Sequence, residues 1–434
     1  MLSACSSVPE TPDIILISID SLRPDHLGVY GHDRDTSPSI DAFASEAVVF
    51  DQAFSTTSWT LPSHASMLTG LYPEVHGVVE GKQRLGEDAL LISEILQHEG
   101  YQTLAVVSGP YLRSRFGFNQ GWDDYDDYTI SVRGKRATTG GPFTPQQHRR
   151  ILEMLDEAED RPLFMFLHYW DVHYDYNPPE PWRSKFDPDY KGDLDVSLFT
   201  RNETIHPGMD PRDLQHLLAL YDGEIAFTDH YLGLLFEALR VRGRFEDSII
   251  ILTSDHGDEF FEHGQKGHRA NLYNATLEIP LIIRFPRGQW GGERIGSPVS
   301  LVDISATVLD YLGGDGREGL NGKSLLPLIQ ESPETHSRIV FADLANRYKS
   351  MINGPWKIVA DMDGSTELEI YDLSRDPDEQ HNVIGAQEDR GNDMLDALQI
   401  WLAVARRQAR DRSRESVEYD DDTRQVLESL GYLD

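Results

Sequence analysis

The sequence predicts an α/β protein built around a mostly parallel sheet, and three observations carry that prediction. Short, nearly unbroken apolar runs recur along the chain, helical patterns separate them, and acids and histidines cluster where the runs end. The first run, Asp13 to Asp20, reads Asp-Ile-Ile-Leu-Ile-Ser-Ile-Asp, the pattern of a strand buried on both faces of a parallel sheet. Similar runs span Thr103 to Val107, Leu163 to His168, Ser248 to Thr253 and Leu281 to Phe285. Between them lie helical stretches, including Leu90 to Glu99, stopped by Gly100, and Asp213 to Arg240 with its repeated Leu, Ala and Phe positions. Strands alternating with helices argue for a layered α/β sandwich. Asp20, His168 with Asp171, and Asp255 with His256 fall at or just past the C-terminal ends of these runs. That is the edge of an open α/β sheet at which ligands bind, so residues far apart in sequence can converge there.

From Arg338 the texture changes. Short alternating strands are expected at Arg338 to Leu344, Tyr348 to Ile352, Trp356 to Asp361 and Glu367 to Tyr371, separated by turns such as Asn353-Gly354-Pro355 and Asp363-Gly364. The organisation expected is an N-terminal tether over residues 1–12, a catalytic domain over 13–337, and a C-terminal α+β subdomain over 338–434 made of antiparallel strands and helices.

Composition narrows the function. With 39 basic and 73 acidic side chains among 434 residues, the formal charge is -34. A field of that sign repels phosphate backbones, so no nucleic-acid partner is expected. The single cysteine, Cys5, excludes an intrachain disulfide and a multi-cysteine zinc site. Leu2-Ser3-Ala4-Cys5 resembles a bacterial lipobox followed by a polar tether, which predicts a lipid anchor at Cys5 and a cell-envelope location, periplasmic or extracellular. If the match is spurious, Cys5 is an exposed thiol and a cytoplasmic location follows. No apolar run is long enough to span a bilayer, so membrane contact is expected only through that anchor.

The stretch Ser58-Trp59-Thr60-Leu61-Pro62-Ser63-His64-Ala65-Ser66-Met67-Leu68-Thr69-Gly70 resembles the sulfatase signature of the alkaline phosphatase superfamily. Thr60 stands where that family carries the cysteine or serine that is oxidised to formylglycine. Threonine is not a substrate for that oxidation, so the resemblance implies an unmodified hydroxyl nucleophile. Asp20-Ser21-Leu22-Arg23 and Ser254-Asp255-His256-Gly257 resemble the family's two metal segments, with Ser21 in place of a second acid. The implied metal ligands are Asp20, Thr60, Asp255 and His256. One ion is expected, and the imidazole together with the lost acid favours manganese or zinc over calcium. Asp171, His173 and His268 could supply a second metal or be hydrogen-bonded loop residues. The stretch Phe166 to Pro179 resembles the family segment whose histidine contacts the ester, here His173. Arg269 corresponds to the sulfatase lysine, Ser108 to its lysine-histidine segment, and His64 to the arginine that holds formylglycine. Glu369 to Pro377 resembles the closing segment of many sulfatases, so the resemblance runs from Asp13 to Ile384 and implies an alkaline-phosphatase/sulfatase-like sandwich.

These matches make Thr60, His173 and His64 the expected catalytic residues, and His173, Arg269 and Ser108 the expected substrate contacts. The chemistry they imply is metal-dependent hydrolysis of a phosphodiester or phosphonate through a covalent Thr60 intermediate. The alternatives are a genuine sulfuric ester hydrolase without formylglycine and a catalytically silent glycan-binding surface protein. The substrate class is a small molecule, or an ester on a glycan or lipid headgroup, recognised by the loops Tyr125 to Gln147 and Asp187 to Asp210. Nothing in the sequence specifies an oligomeric state.

Overall fold

The computed structural model describes residues 11–129, 142–313, 319–330 and 338–433. Cys5 and the expected lipobox lie outside the described residues, as does much of the loop from Tyr125 to Gln147. Among the described residues no helix is long and apolar enough to cross a membrane.

A nine-stranded sheet forms the centre, from β1 (Ile14–Ile19), β2 (Val48–Phe54), β3 (Gln102–Val106), β4 (Asp124–Asp126), β5 (Leu163–Tyr169), β6 (Ile249–Ser254), β7 (Glu278–Arg284), β8 (Arg294–Ile295) and β9 (Val299–Ser300). Its order is β8-β2-β7-β6-β1-β5-β3-β4, with β9 also on β2. β1 pairs in parallel with both β5 and β6, in registers that set Ile19 opposite Tyr169 and Ser254. The residues that follow these three strands therefore emerge side by side at one edge. β7 pairs antiparallel with both its neighbours, which corrects the expectation that the run ending at Phe285 belongs to the parallel set. A strand buried on both faces is apolar throughout whichever way it runs, so its hydrophobic pattern carries no direction.

Two helical layers cover the sheet. Ile14, Leu16, Phe164 and Phe166 face Leu61, Ala65 and Leu68 of α1 (Thr60–Thr69). Ile15, Ile17, Met165 and Leu167 share the opposite core with Ile151 of α2 (Thr144–Asp156) and with Leu217, Leu220 and Leu232 of α3 (Pro211–Val241). Alternate residues of each strand thus bury against different layers. A second sheet follows, antiparallel throughout in the order β10 (Ile339–Leu344), β11 (Tyr348–Asn353), β12 (Trp356–Asp361), β13 (Glu369–Asp372). It packs on α4 (Glu388–Gln408) through Met351, Ile358, Ile370, Met394 and Leu398. The short helix α5 (Asp421–Ser429) returns to the main sheet, where Leu427 joins its core.

Candidate active site

Thr60 is the first residue of α1, and Trp59 before it has extended backbone. The hydroxyl therefore sits at a helix N-terminus, whose partial positive charge favours an anionic ester. α1 is fastened beneath the sheet edge by His64, which donates from Nδ1 to the Thr60 carbonyl at 2.9 Å and accepts at Nε2 from Ser18 Oγ at 3.0 Å. Burial holds this imidazole neutral, lowering its pKa to about 3. His64 thus bonds to the Thr60 backbone carbonyl and to the Ser18 hydroxyl, and its Nδ1 lies 3.6 Å from Asp255 Oδ2.

Asp20 follows β1 and Asp255 follows β6. Ser21 takes a left-handed backbone, φ 57°, an uncommon conformation for a residue with a side chain. Its amide donates to Asp255 Oδ1 at 3.2 Å and its hydroxyl to Asp20 Oδ1 at 2.8 Å. The residue that replaces the family's second acid thus ties the two carboxylates together. His256 donates from Nδ1 to the Gly257 carbonyl at 3.0 Å, which leaves Nε2 3.4 Å from Thr60 Oγ1, 3.4 Å from Asp255 Oδ2 and 3.8 Å from Asp20 Oδ1. Burial raises the Asp20 carboxyl to about 7 and also raises Asp255, to which the nearby Asp20 charge adds. Burial opposes charging of His256, but Asp255 and Asp20 outweigh it and raise its pKa.

His168, the penultimate residue of β5, joins this group although no sequence match assigned it there. Ser108 brackets it, donating Oγ to the His168 carbonyl at 2.7 Å and accepting from its Nδ1 at 2.9 Å. His168 Nε2 then points at Asp20 Oδ2, 3.4 Å away. Its position at a strand end was the one available signal. The hydroxyl proton and the carbonyl of Ser108 are thus both engaged on His168.

Three fully buried atoms, Asp20 Oδ2, Asp255 Oδ2 and His168 Nε2, have no hydrogen-bond partner in the protein. Two facing carboxylates and an imidazole lone pair, closed off from water, are costly without a cation between them. Asp20, Asp255 and His256 converge with ligand atoms within 4.8 Å of one another, as do His64, His168 and Asp255. The residues fit one divalent metal ion.

The expected second set divides. Asp171 accepts from the Phe143 and Thr144 amides at 2.9 and 2.7 Å, so its carboxylate caps α2 and is not brought to the other two. His173 and His268 do meet, with ring centroids 5.2 Å apart. His268 donates from Nδ1 to Asp258 Oδ1 at 2.6 Å, and Tyr176 donates to the other oxygen of Asp258. Asp258, His256 and His268 form a further group of ligand atoms. Arg269, also left-handed at φ 70°, donates its amide to the Ser58 carbonyl and lays its guanidinium over Trp59, 4.2 Å from the ring centroid. Its guanidinium thus lies against the residue that precedes Thr60.

A hydroxyl at a helix N-terminus, a cradle of carboxylates and imidazoles for one metal, and further histidines and an arginine around it define a metal-dependent hydrolase of the alkaline phosphatase superfamily. Within it, the chain belongs to the sulfatase family: residues 12–314 match the family described as Sulfatase, and residues 262–407 match "N-sulphoglucosamine sulphohydrolase, C-terminal". It is 31% identical to Arylsulfatase K of Danio rerio over 86% of this chain and 80% of that one. It is 23% identical to an N-acetylglucosamine-6-O-sulfatase of Bacteroides thetaiotaomicron, over 87% of this chain and 83% of that one. Among solved structures, the phosphonate monoester hydrolase of Agrobacterium radiobacter shares the fold, with a TM-score of 0.75 at 21% identity, over 94% of this chain and all of that one.

Proposed function

We propose that the protein hydrolyses sulfuric esters, with the unmodified Thr60 hydroxyl as nucleophile and a sulfated carbohydrate as the first substrate class to test. The observation that carries this reading is the placement of Thr60 Oγ1, 3.4 Å from His256 Nε2 and at the head of α1, beside the unpartnered oxygens of Asp20 and Asp255. Support for the ester class comes from the sulfatases to which the chain is similar, among them an N-acetylglucosamine-6-O-sulfatase and an ulvan-active sulfatase. A structure of similar fold, TM-score 0.74, is in complex with its substrate D-glucosamine-2-N,6-O-disulfate.

Asp20, Asp255 and His256, with His168 and the Thr60 hydroxyl, would hold the metal. Carboxylates and imidazoles without thiolates suit manganese or zinc, and the loss of an acid at Ser21 disfavours calcium. When bound, such an ion neutralises the paired carboxylates and withdraws charge from the nucleophile and the ester. The chain's own residues supply the rest. Thr60 Oγ1 forms the new bond to sulfur while the bond from sulfur to the leaving oxygen breaks. The proton that the Thr60 hydroxyl gives up balances the one the leaving oxygen takes up, and the alcohol so formed can donate to the Nε2 lone pairs of His173 and His268, the latter oriented by Asp258. Water then cleaves the Thr60 ester and restores the hydroxyl.

A second reading is hydrolysis of a phosphodiester or phosphonate by the same nucleophile. It is favoured by His64, whose neutral, doubly bonded imidazole replaces the arginine of the sulfatase pattern. Metal-stripped protein reloaded with manganese, zinc or calcium, assayed on matched p-nitrophenyl sulfate, phosphate, phosphodiester and phosphonate, separates the two. Sulfate turnover lost in Thr60→Ala supports the first reading, diester or phosphonate turnover alone supports the second, and silence on all four overturns both.

A further inference from the structure

Thr60 is closed to an incoming ester. Asp20, Asp255, His256 and His168 are fully buried, and Thr60 and His173 are 2% exposed. The group lying over them comes from the far end of the chain. The Tyr432 hydroxyl is 2.8 Å from His173 Nε2 and 2.9 Å from His268 Nε2. The Arg269 guanidinium sits 4.9 Å from its ring centroid, and Tyr111 packs on it at 5.3 Å.

Taking the Thr60 centre as the reaction site, we propose that residues 421–433 form a displaceable plug, with the Tyr432 phenol occupying the seat of the leaving alcohol between His173 and His268. Chemistry and mechanics both support this. His173 donates from Nδ1 to the Tyr174 carbonyl and His268 donates from Nδ1 to Asp258, each at 2.6 Å, so both Nε2 atoms offer lone pairs. An alcohol or phenol released by ester cleavage is the hydroxyl donor that such a seat accepts, and Tyr432 is the chain's own copy of one. One phenolic proton serves only one of the two lone pairs, and the other donor in reach is the Tyr174 hydroxyl, at 3.5 Å from His268 Nε2.

The segment is also built to leave as a unit. α5 has nine residues, too few to be a stable helix alone, so its order depends on docking. Val426 and Leu430 bury against Phe143 and Trp170, while Leu427 reaches the main core. Few polar bonds add to this: Thr200 Oγ1 donates to the Leu430 carbonyl at 3.3 Å, Arg201 to the Leu433 carbonyl, and Asp420 pairs with Arg115. Gly431, at φ 80°, makes the turn that drives Tyr432 inward, and a Cβ there would stand 2.4 Å from Thr200 Oγ1.

The test uses the full chain with p-nitrophenol as the probe, read by calorimetry and by hydrogen exchange of residues 421–433. We expect p-nitrophenol to strip exchange protection from the segment, whereas inorganic sulfate alone leaves it protected. Tyr432→Ala should bind p-nitrophenol about tenfold more tightly, with its segment unprotected from the start. Tyr432→Phe, which keeps the packing, should bind with intermediate affinity. Binding of p-nitrophenol with the segment still protected, or no binding to either wild type or Tyr432→Ala, overturns the plug. Failure of the hydrolase reading is separate, because it appears as absent ester turnover in metal-loaded protein whatever p-nitrophenol does.

Discussion

His168 Nε2 lies 3.4 Å from Asp20 Oδ2, and neither atom has a hydrogen-bond partner in the protein. Ser108 fixes the imidazole so that a lone pair, not a proton, faces the carboxylate. Two electron-rich atoms held together in a dry interior repel each other unless a cation joins them. Manganese or zinc added to metal-stripped protein is therefore expected to raise its thermal midpoint. At a hundredfold excess over the dissociation constant the stabilisation is about 2.7 kcal/mol. Asp20→Ala and Asp255→Ala should each abolish the metal-induced shift, measured by calorimetry at fixed metal concentration. A shift that survives in both would place the ion elsewhere.

Thr60 offers the sharpest test of the nucleophile. Thr60→Ser keeps the hydroxyl at the head of α1 and should keep measurable turnover. Thr60→Ala should lose at least about a hundredfold, the scale of removing one group that acts on the transition state. Because the alanine is smaller and Asp20, Asp255, His256 and His168 remain, the fold should persist and metal should still bind, more weakly than in wild type. Rapid-quench mass spectrometry of wild type should show a substrate-derived adduct on the peptide containing Thr60, absent from Thr60→Ala. An adduct on any other residue would refute the assignment.

Much of this arrangement was legible in the sequence, and the parts that were not have physical reasons. β1, β5 and β6 announce themselves as apolar runs, so Asp20, Asp255 and His256 could be placed at one edge before their contacts were known. Asp171 sits at the same edge and has the right chemistry, yet its carboxylate serves the Phe143 and Thr144 amides. Spacing along a loop does not reveal which backbone amides will claim an acid. His168 was visible as a strand-end residue, but its inclusion depends on a carbonyl from Ser108, sixty positions away in sequence. Tyr432 was invisible, because a terminal Gly-Tyr carries no pattern until Gly431 turns it back into the molecule.

Away from the metal cradle, Asp229 predicts a pH dependence. Its carboxylate accepts from the Ser39 and Ile40 amides, the latter at 2.8 Å, and burial nevertheless raises its pKa to about 6. The folded state therefore holds this proton more tightly than the unfolded chain does, and between about pH 4 and pH 6 the folded state binds more protons. Stability from this group falls as pH rises through that window, by roughly 3 kcal/mol for a shift of about two units. Asp229→Asn removes the titration and keeps an oxygen for one amide. The difference between its melting temperatures at pH 4 and pH 8 should be smaller than in wild type, and an unchanged difference would show that Asp229 does not carry the effect.

The C-terminal sheet is tied to the catalytic layer by a buried charge. Lys357 of β12 and Glu379 form an ion pair at 2.6 Å, both fully buried, and Lys357 also donates to Asn274 Oδ1 at 2.8 Å. Glu379 accepts in turn from the Asn274 amide at 2.5 Å, so three groups from two layers share one closed network. Burial works against both charges, lowering the pKa of Lys357 and raising that of Glu379, while their mutual attraction offsets it. Removing one partner leaves the other charge stranded, which costs about 3–5 kcal/mol, whereas replacing both is often close to neutral. Lys357→Met should therefore lower the thermal midpoint sharply. Lys357→Met with Glu379→Gln should recover most of the loss, because glutamine can still accept from the Asn274 amide. Recovery of less than half would mean that the network holds the layers together through Asn274 and not through the balance of charge.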